Sequence, residues 1–453
     1  MLGALDAYVV AGVFLPMVSD LGVSLDHLER ATPIVTGFLF GYVVAIPLLG
    51  PLSDARGRTA LYLGALTVFA GGSVITARAE DLNTLVVGRT VQGLAGGALV
   101  PVSLGLVADA FPGPSRLLAL GIAAGAQEAG SLIGPVYGAY VAQWAGGWRT
   151  VFWINLPLAA LCTIAFLLLA RPTSPEPAPN GLKGTVYQSG AGSVGRGAVL
   201  AVAMGLLVLA LSPDDPARSA VSSHFAPLIT GAAVAFGAFL LLRGRSAIPA
   251  AVIVNVLVGA GLVAALAEVP VLATSLFGLD QLGAALLLAR FLAGVPVGAV
   301  AGGLLPNRRW TATAGMALSA ACFGRMAGWT ALDASVPWIL FACGLGFGLV
   351  IAPVTAAILD AARSEEHGAA SASAVLARSA GMLAGLGLLA AYGFHRFYSE
   401  LARCPRGGGF LGLPGSQFIA CATAAGRDQY HDVFVLAAGL CVIAAAAASL
   451  RLR

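Results

Sequence analysis

Lysine is all but absent from this 453-residue chain: Lys183 stands alone, and the other 24 of its 25 basic residues are arginine. Charge of either sign is scarce, at 10% of residues, against about 25% in soluble domains. With 58% hydrophobic residues, that excludes an ordinary soluble globule and predicts a polytopic membrane protein. The lysine deficit fits a GC-rich genome and carries no weight about substrate. A net charge of +4 spread over short loops offers no nucleic-acid surface. Histidine is sparse too. His27, His224, His367, His395 and His431 all fall in loops or at helix ends. A membrane-embedded acyltransferase, which needs a His-Asp or Ser-His constellation, is therefore only a remote alternative. Zinc spacings, phosphate loops and Walker-type motifs are missing, so ATP-driven transport by this chain is excluded and no metal or cofactor is expected. Cys162, Cys322, Cys343 and Cys441 lie in apolar runs and read as small packing residues. No cleavable signal peptide is expected. A spanning helix needs about 20 apolar residues, which Met1–Val18 barely supplies, so a mis-assigned or trimmed start is expected.

What is present is a series of apolar runs. Fourteen helices are expected near 1–19, 31–50, 59–78, 83–107, 117–142, 150–170, 196–212, 225–243, 249–275, 281–304, 310–331, 335–359, 369–395 and 430–450. With the N-terminus inside, the short inside loops hold thirteen basic residues and the short outside loops four, which predicts both termini in the cytoplasm. The stretch 171–196 is rich in Pro, Gly and Ser and reads as a flexible linker. The expected organisation is an all-α membrane fold with three parts. A six-helix bundle fills 1–170, a cytoplasmic linker and two inserted helices fill 171–248, and a second six-helix bundle fills 249–453, with an extracytoplasmic loop at 396–428. The halves repeat weakly: Gly50-Pro51-Leu52 with Arg58 and Gly64 is echoed by Gly302-Gly303-Leu304 with Arg309 and Gly315. Paired halves of this kind are the usual build of secondary transporters.

Charges inside the runs are the functional candidates. Glu128 is the only charge between Leu117 and Trp148, and Arg378 the only one between Gly368 and Phe394. An ionised side chain at mid-membrane costs roughly 2.5–3.5 kcal/mol on insertion, so such residues normally face a cavity or a partner. Asp6 and Glu128 are the intramembrane acids of the first half and Glu268 that of the second. A carboxyl group shielded from water can exchange a proton near neutral pH. Arg378 either pairs with an acid in one conformational state and loses it in the other, or holds a permanent salt bridge. Swapping the charges of Glu128 and Arg378 would rescue the permanent bridge but not the switch. Arg89 either faces the cavity and bonds to the first helix or a carboxylate, or snorkels to the outer interface. Glu268 either lines the cavity or lies near the outer surface, and the roles of Arg290 and Arg325 stay open.

Several segments carry a family resemblance. Gly50-Pro51-Leu52-Ser53-Asp54-Ala55-Arg56-Gly57-Arg58-Thr59 resembles the signature loop of the major facilitator superfamily. The resemblance implies a conformational latch built on Gly50, Asp54, Arg56, Gly57 and Arg58 that stabilises the outward-open state. Ala55 and Thr59 stand where the family often has basic residues, which predicts a weaker latch. The run 85–98, with Arg89, is similar to the family's fourth helix, and Gly130, Gly134, Pro135 and Gly138 match the fifth-helix pattern of exporters. Glycines at that spacing make a smooth stripe for close helix contact. Trp148-Arg149-Thr150-Val151-Phe152-Trp153-Ile154-Asn155-Leu156-Pro157 resembles the sixth-helix opening of the fourteen-helix drug:proton antiporters. Leu2 to Val10, Ala126-Gln127-Glu128, and Glu365 to Gly368 through Arg378 to Leu383 look like the actinobacterial branch of that family, which exports triacylglycerides and glycolipids. The match covers nearly the whole chain and is loose in 196–245 and 400–430.

The resemblance implies proton-coupled export of lipids from the inner membrane, with Asp6, Glu128 and Arg378 as the functional charges. The alternative it leaves is a multidrug:proton antiporter for amphipathic compounds. The expected partners are a lipid or amphipathic small molecule, protons and an extracytoplasmic carrier lipoprotein; nucleic acid is not expected, and the protein is expected to be a monomer. Cys404 and Cys421 bracket the outer loop and are read either as a disulfide or as two free thiols.

Overall fold

The computed structural model describes residues 1–22, 31, 33–113, 115–169, 195, 197–206, 209, 227–228, 230–231, 234–235, 250–363, 366–401, 403–404 and 416–452. Among these no strand occurs, and twelve long helices account for most of the chain. They are α1 (Leu2–Asp20), α2 (Pro33–Arg56), α3 (Arg58–Ala77), α4 (Leu82–Ala110), α5 (Ser115–Trp144) and α6 (Trp148–Leu169), then α7 (Ala250–Ser275), α8 (Gln281–Leu304), α9 (Arg308–Ala327), α10 (Val336–Asp360), α11 (His367–Leu401) and α12 (Ser416–Arg451). The linker 171–196 and most of the expected inserted pair, 196–212 and 225–243, lie outside the described residues.

Helix starts follow local chemistry. The first backbone N–H groups of a helix have no partner within it, and short polar side chains supply one. The Asp81 carboxylate accepts from Thr84 N at 2.9 Å to open α4, Asp280 accepts from Gly283 N at 2.9 Å to open α8, and Asn307 accepts from Trp310 N at 3.3 Å to open α9. The hydrogen bonds from Thr84, side chain first and then backbone, hold the Asp81 carboxyl below its ordinary range. Between α2 and α3 the chain turns at Gly57, whose φ of 95° a side-chain-bearing residue would adopt only under strain.

Nine of the described helices are long and apolar enough to cross a membrane, or ten if α1, bent by 58° between Leu2–Val10 and Gly12–Asp20, counts as one span. Prolines inside them, such as Pro47, Pro101, Pro135 and Pro157, are tolerated because neighbouring helices can satisfy the backbone groups they free. Two elements outgrow the hydropathy reading. The run expected at 430–450 is a 36-residue helix from Ser416, and that expected at 369–395 is a 35-residue helix reaching Leu401. At 1.5 Å per residue each is over 50 Å long, against about 30 Å of hydrocarbon. The added end of α11 carries Arg396, Ser399 and Glu400, and the added start of α12 is cut from the apolar run by Arg427, Asp428 and Gln429.

The chain divides into two compact units: Met1–Ile248 with Ile358–Leu376, and Pro249–Ala357 with Ala377–Arg453. The start of α11 thus belongs with the first unit and its remainder with the second. In the first unit, Val9, Val13, Met17, Ile34, Leu85, Trp148 and Phe152 form one buried apolar cluster. In the second, Phe291, Phe323, Phe347 and Phe434 are wholly buried and stack or meet edge-on at 5.9–6.0 Å between ring centres.

Candidate functional site

A buried polar network sits inside the first unit. Its centre is Asp6 on α1, which has no solvent exposure, and its counter-ion is Arg89 on α4, 1% exposed. Arg89 Nη1 donates to Asp6 Oδ2 at 2.6 Å, and Nη2 to the Asp6 backbone carbonyl at 3.3 Å. The other carboxylate oxygen, Oδ1, accepts from Asn155 Nδ2 on α6 at 2.7 Å and from Gln92 Nε2 on α4 at 3.3 Å. Gln92 Nε2 also donates to Ser73 Oγ on α3 at 2.8 Å, while its Oε1 accepts from Arg89 and from Thr76 at 3.0–3.1 Å. Three helices, α1, α4 and α6, thus meet on one carboxylate, and α3 joins the network through Ser73 and Thr76. The Arg89 guanidinium also faces the ring of Phe38 at 4.3 Å and that of Phe152 at 5.7 Å, so its flanks are covered by aromatic faces. Burial of a lone ion in such a place would cost several kcal/mol, and here the pairing and the extra donors offset it.

The approach of α1 to α5 depends on the glycine stripe. A Cβ at Gly130 would lie 2.7 Å from Met1 O, at Gly134 2.8 Å from Leu5 O, and at Gly138 2.6 Å from Val9 O. No methyl fits at those distances, so the three glycines let α5 lie directly on the α1 backbone around Asp6. Pro135 stands in the same segment, its carbonyl against Gly12.

A second polar cluster joins the α2–α3 turn to the start of α11. The Asp54 carboxylate accepts from Gly368 N and Ala369 N, both at 2.8 Å, and so caps α11 where the helix dipole is positive. Arg58 Nη2 donates to Asp54 Oδ1 at 2.7 Å, and its Nη1 pairs with Asp109 at the end of α4. His367 Nδ1 lies 2.9 Å from Asp109 Oδ1. Gly50 packs under Gly368 and Ala372, and Ser371 Oγ donates to Pro101 O at 2.7 Å. Arg116 and Asp360 add an ion pair at 2.6 Å. Arg56 is exposed and takes no part in these bonds.

The sequence candidates are thus distributed unevenly. Asp6 and Arg89 are brought together, with Arg89 enclosed rather than directed to an interface. Asp54 and Arg58 meet at the α11 cap with Gly50 packed beside it, while Gly57 stays in the exposed α2–α3 turn. Glu128 is half-buried on α5 in the first unit; Arg378 is half-buried on α11, in the part that belongs to the second. Glu268 is buried on α7. Cys404 and Cys421 form a disulfide between the outgrown ends of α11 and α12, where Arg396 also pairs with Glu400 at 2.7 Å and Asp432 at 3.1 Å. Gln92, Asn155, Ser73, Thr76, Asp109 and His367 were not singled out from the sequence. Gln92 lies one turn after Arg89 on the same face, and Asn155 is a lone amide in an apolar run, which are the signals that could have found them.

The sequence profile of the Major Facilitator Superfamily matches residues 1–386. The triacylglyceride transporter of Mycolicibacterium hassiacum is 38% identical over 98% of this chain and 88% of its own length. That of Mycolicibacterium smegmatis is 37% identical over 98% and 84%, and that of Mycobacterium tuberculosis 36% identical over 98% and 91%. Among solved structures, the human organic anion transporter MFSD10 (TETRAN) aligns with a TM-score of 0.61 at 16% identity, over 97% of both chains. The proton:xylose symporter XylE, bound to 6-bromo-6-deoxy-D-glucose, aligns at 0.59 and 18% identity over 96% of this chain and 92% of its own. At those identities the two structures speak for the fold alone.

Proposed function

This chain belongs to the Major Facilitator Superfamily and is a multi-pass membrane transporter rather than an enzyme, and from that premise we propose that it is a proton-coupled exporter of triacylglyceride-like lipids. The lipid substrate is inferred from relatives named triacylglyceride transporters, matched along nearly the full chain. The observation that carries proton coupling is the ion pair of Asp6 and Arg89, enclosed among apolar and aromatic side chains within membrane-spanning helices. An acid in that position changes the charge of the network when it takes a proton, and a charge change in low dielectric is large enough to bias a conformational equilibrium. Glu128, Glu268 and Arg378 are proposed as further charges on the transport cycle.

In this reading the Asp54 cap on α11 is a latch that must break and re-form during alternating access. Two charge-assisted hydrogen bonds at a helix N-terminus make it a tie of about 1–3 kcal/mol, enough to bias two states without locking one. The orientation proposed has both termini in the cytoplasm of the plasma membrane, by the distribution of arginine. The outgrown, disulfide-tipped ends of α11 and α12 would then stand on the outer side, where a carrier lipoprotein could receive lipid. Deleting 403–422 and finding export unchanged would remove that role. We take the working unit to be the monomer.

The test is transport in proteoliposomes with labelled triacylglyceride and with a cationic dye, each with and without a proton gradient. Gradient-dependent lipid movement is the expected result. Gradient-dependent dye movement without lipid movement would replace this reading with a multidrug antiporter.

A further inference from the structure

The network around Asp6 contains a vacancy on the acceptor side. Every contact to the Asp6 carboxylate comes from a donor: Arg89 Nη1, Asn155 Nδ2 and Gln92 Nε2. That set suits an ionised carboxylate, which only accepts. A protonated Asp6 carries an O–H and must find an acceptor, because a buried unpaired hydroxyl is disfavoured. Two nearby acceptors are already engaged. Gln92 Oε1 accepts from Arg89 and Thr76. Ser73 Oγ accepts from Gln92 and Asn155 while donating to Phe69 O at 2.9 Å. Among the described residues, two buried acceptors have no hydrogen-bond partner, the Tyr137 hydroxyl and, on a residue already bonded to the carboxylate, Asn155 Oδ1. The latter belongs to the amide whose nitrogen already lies 2.7 Å from Asp6 Oδ1.

We propose that Asn155 is a two-way positioning residue, whose amide donates to ionised Asp6 and, after a half-turn about its Cβ–Cγ bond, accepts from protonated Asp6. The inference rests on the reading of Asp6 as a proton carrier. A proton arriving at Asp6 forms an O–H bond on Oδ1. The amide rotates, Nδ2 leaves Oδ1, and Oδ1 of Asn155 accepts the new O–H; no proton leaves Asn155 or Arg89. With Asp6 ionised the donating orientation is favoured, and a carboxyl that gains an O–H reverses the preference. The titratable and charged groups facing this point are Arg89 from α4 and Tyr137 from α5, whose hydroxyl is buried without a hydrogen-bond partner; α3 presents Ser73 and Thr76, and α2 presents the ring of Phe38. The rotation also changes what α6 offers to α1 and α3, since Nδ2 is shared with Ser73 at 3.3 Å. Proton binding at one carboxyl is thereby passed to the packing of α6.

The test is infrared difference spectroscopy of the full-length protein in liposomes, stepped through pH, with asparagine isotope-labelled and Asp6→Asn as the control that identifies the Asp6 carboxyl band. The expected result is that the Asp6 band and the Asn155 amide band, identified by its loss in Asn155→Leu, change over the same pH step. In Asn155→Leu, which can neither donate nor accept, the protonated Asp6 band should move to the frequency of a free O–H acid. In Asn155→Thr, whose hydroxyl can do both, the bonded frequency and the parental pH midpoint should return, which a merely structural role would not require. An Asp6 band that titrates while the Asn155 amide band stays fixed would overturn the proposal and leave the proton-carrier reading intact. Absence of any Asp6 titration over the range in which transport responds to pH would overturn both.

Discussion

Both units have apolar cores, but among the described residues the enclosed ion pair lies in the first. In the first, Asp6, Arg89, Gln92, Asn155, Ser73 and Thr76 are all within 1% of full burial and bonded into one network. In the second, the comparable depth holds Phe291, Phe323, Phe347 and Phe434 with the thiols Cys322, Cys343 and Cys441. The loops that echo each other in sequence diverge in the same way. Asp54 reaches out of its own helix to cap α11, whereas Asn307 caps only the helix it begins. A repeat inherited in outline therefore supports an ionic device in one unit and close apolar packing in the other. Under the proposed function, the enclosed ion pair makes the first unit the main place where a proton would act, with Glu268 as the buried acid of the second.

The strongest way to break this contrast is to remove Arg89. Arg89→Ala leaves a buried carboxylate unpaired, and a loss of about 3–5 kcal/mol is expected. It should be read as a fall in the thermal unfolding midpoint in detergent. The double change Asp6→Leu with Arg89→Met should recover stability while leaving lipid flux indifferent to a proton gradient. A slightly smaller cost, about 3 kcal/mol, is expected for Phe347→Ala in the second unit, from the cavity left between Phe291 and Phe323. There the gradient dependence of whatever flux remains should be parental; a changed dependence would mean that the aromatic core also senses the proton. Asp54→Asn keeps the shape of the α11 cap but not its charge, and about 1–2 kcal/mol of latch energy should go. Accessibility labelling of cysteines placed at either end of the bundle should then show a shifted ratio of states with little change in unfolding midpoint. The smallest effect belongs to Asn307→Ala, about 1 kcal/mol of helix-cap stability, with no change in that ratio. A shift of conformational ratio in Asn307→Ala would show that the second loop is a latch as well.

Much of the fold could be read from apolar runs, because a bilayer forces spans of near-constant length: most helix bounds differ from expectation by only a few residues. The exception is instructive. Arg427, Asp428 and Gln429 interrupt the apolar residues without breaking the helix, so α12 begins at Ser416, fourteen residues before the run that marked it. In the site, Asp6 and Arg89 were visible because a charge in an apolar run is conspicuous by its cost. Gln92 and Asn155 were not, since an uncharged amide is cheap enough to pass for packing. Asp109 and His367 could not be paired in sequence at all, being 258 residues apart and joined only when α11 returns to the end of α4.

The most direct test of Asp6 as the coupling charge is labelled triacylglyceride flux in proteoliposomes, with and without a proton gradient, for the parent protein and Asp6→Asn matched for unfolding midpoint. The expected result is that the gradient accelerates the parent and leaves Asp6→Asn unchanged. Equal acceleration of both would contradict it.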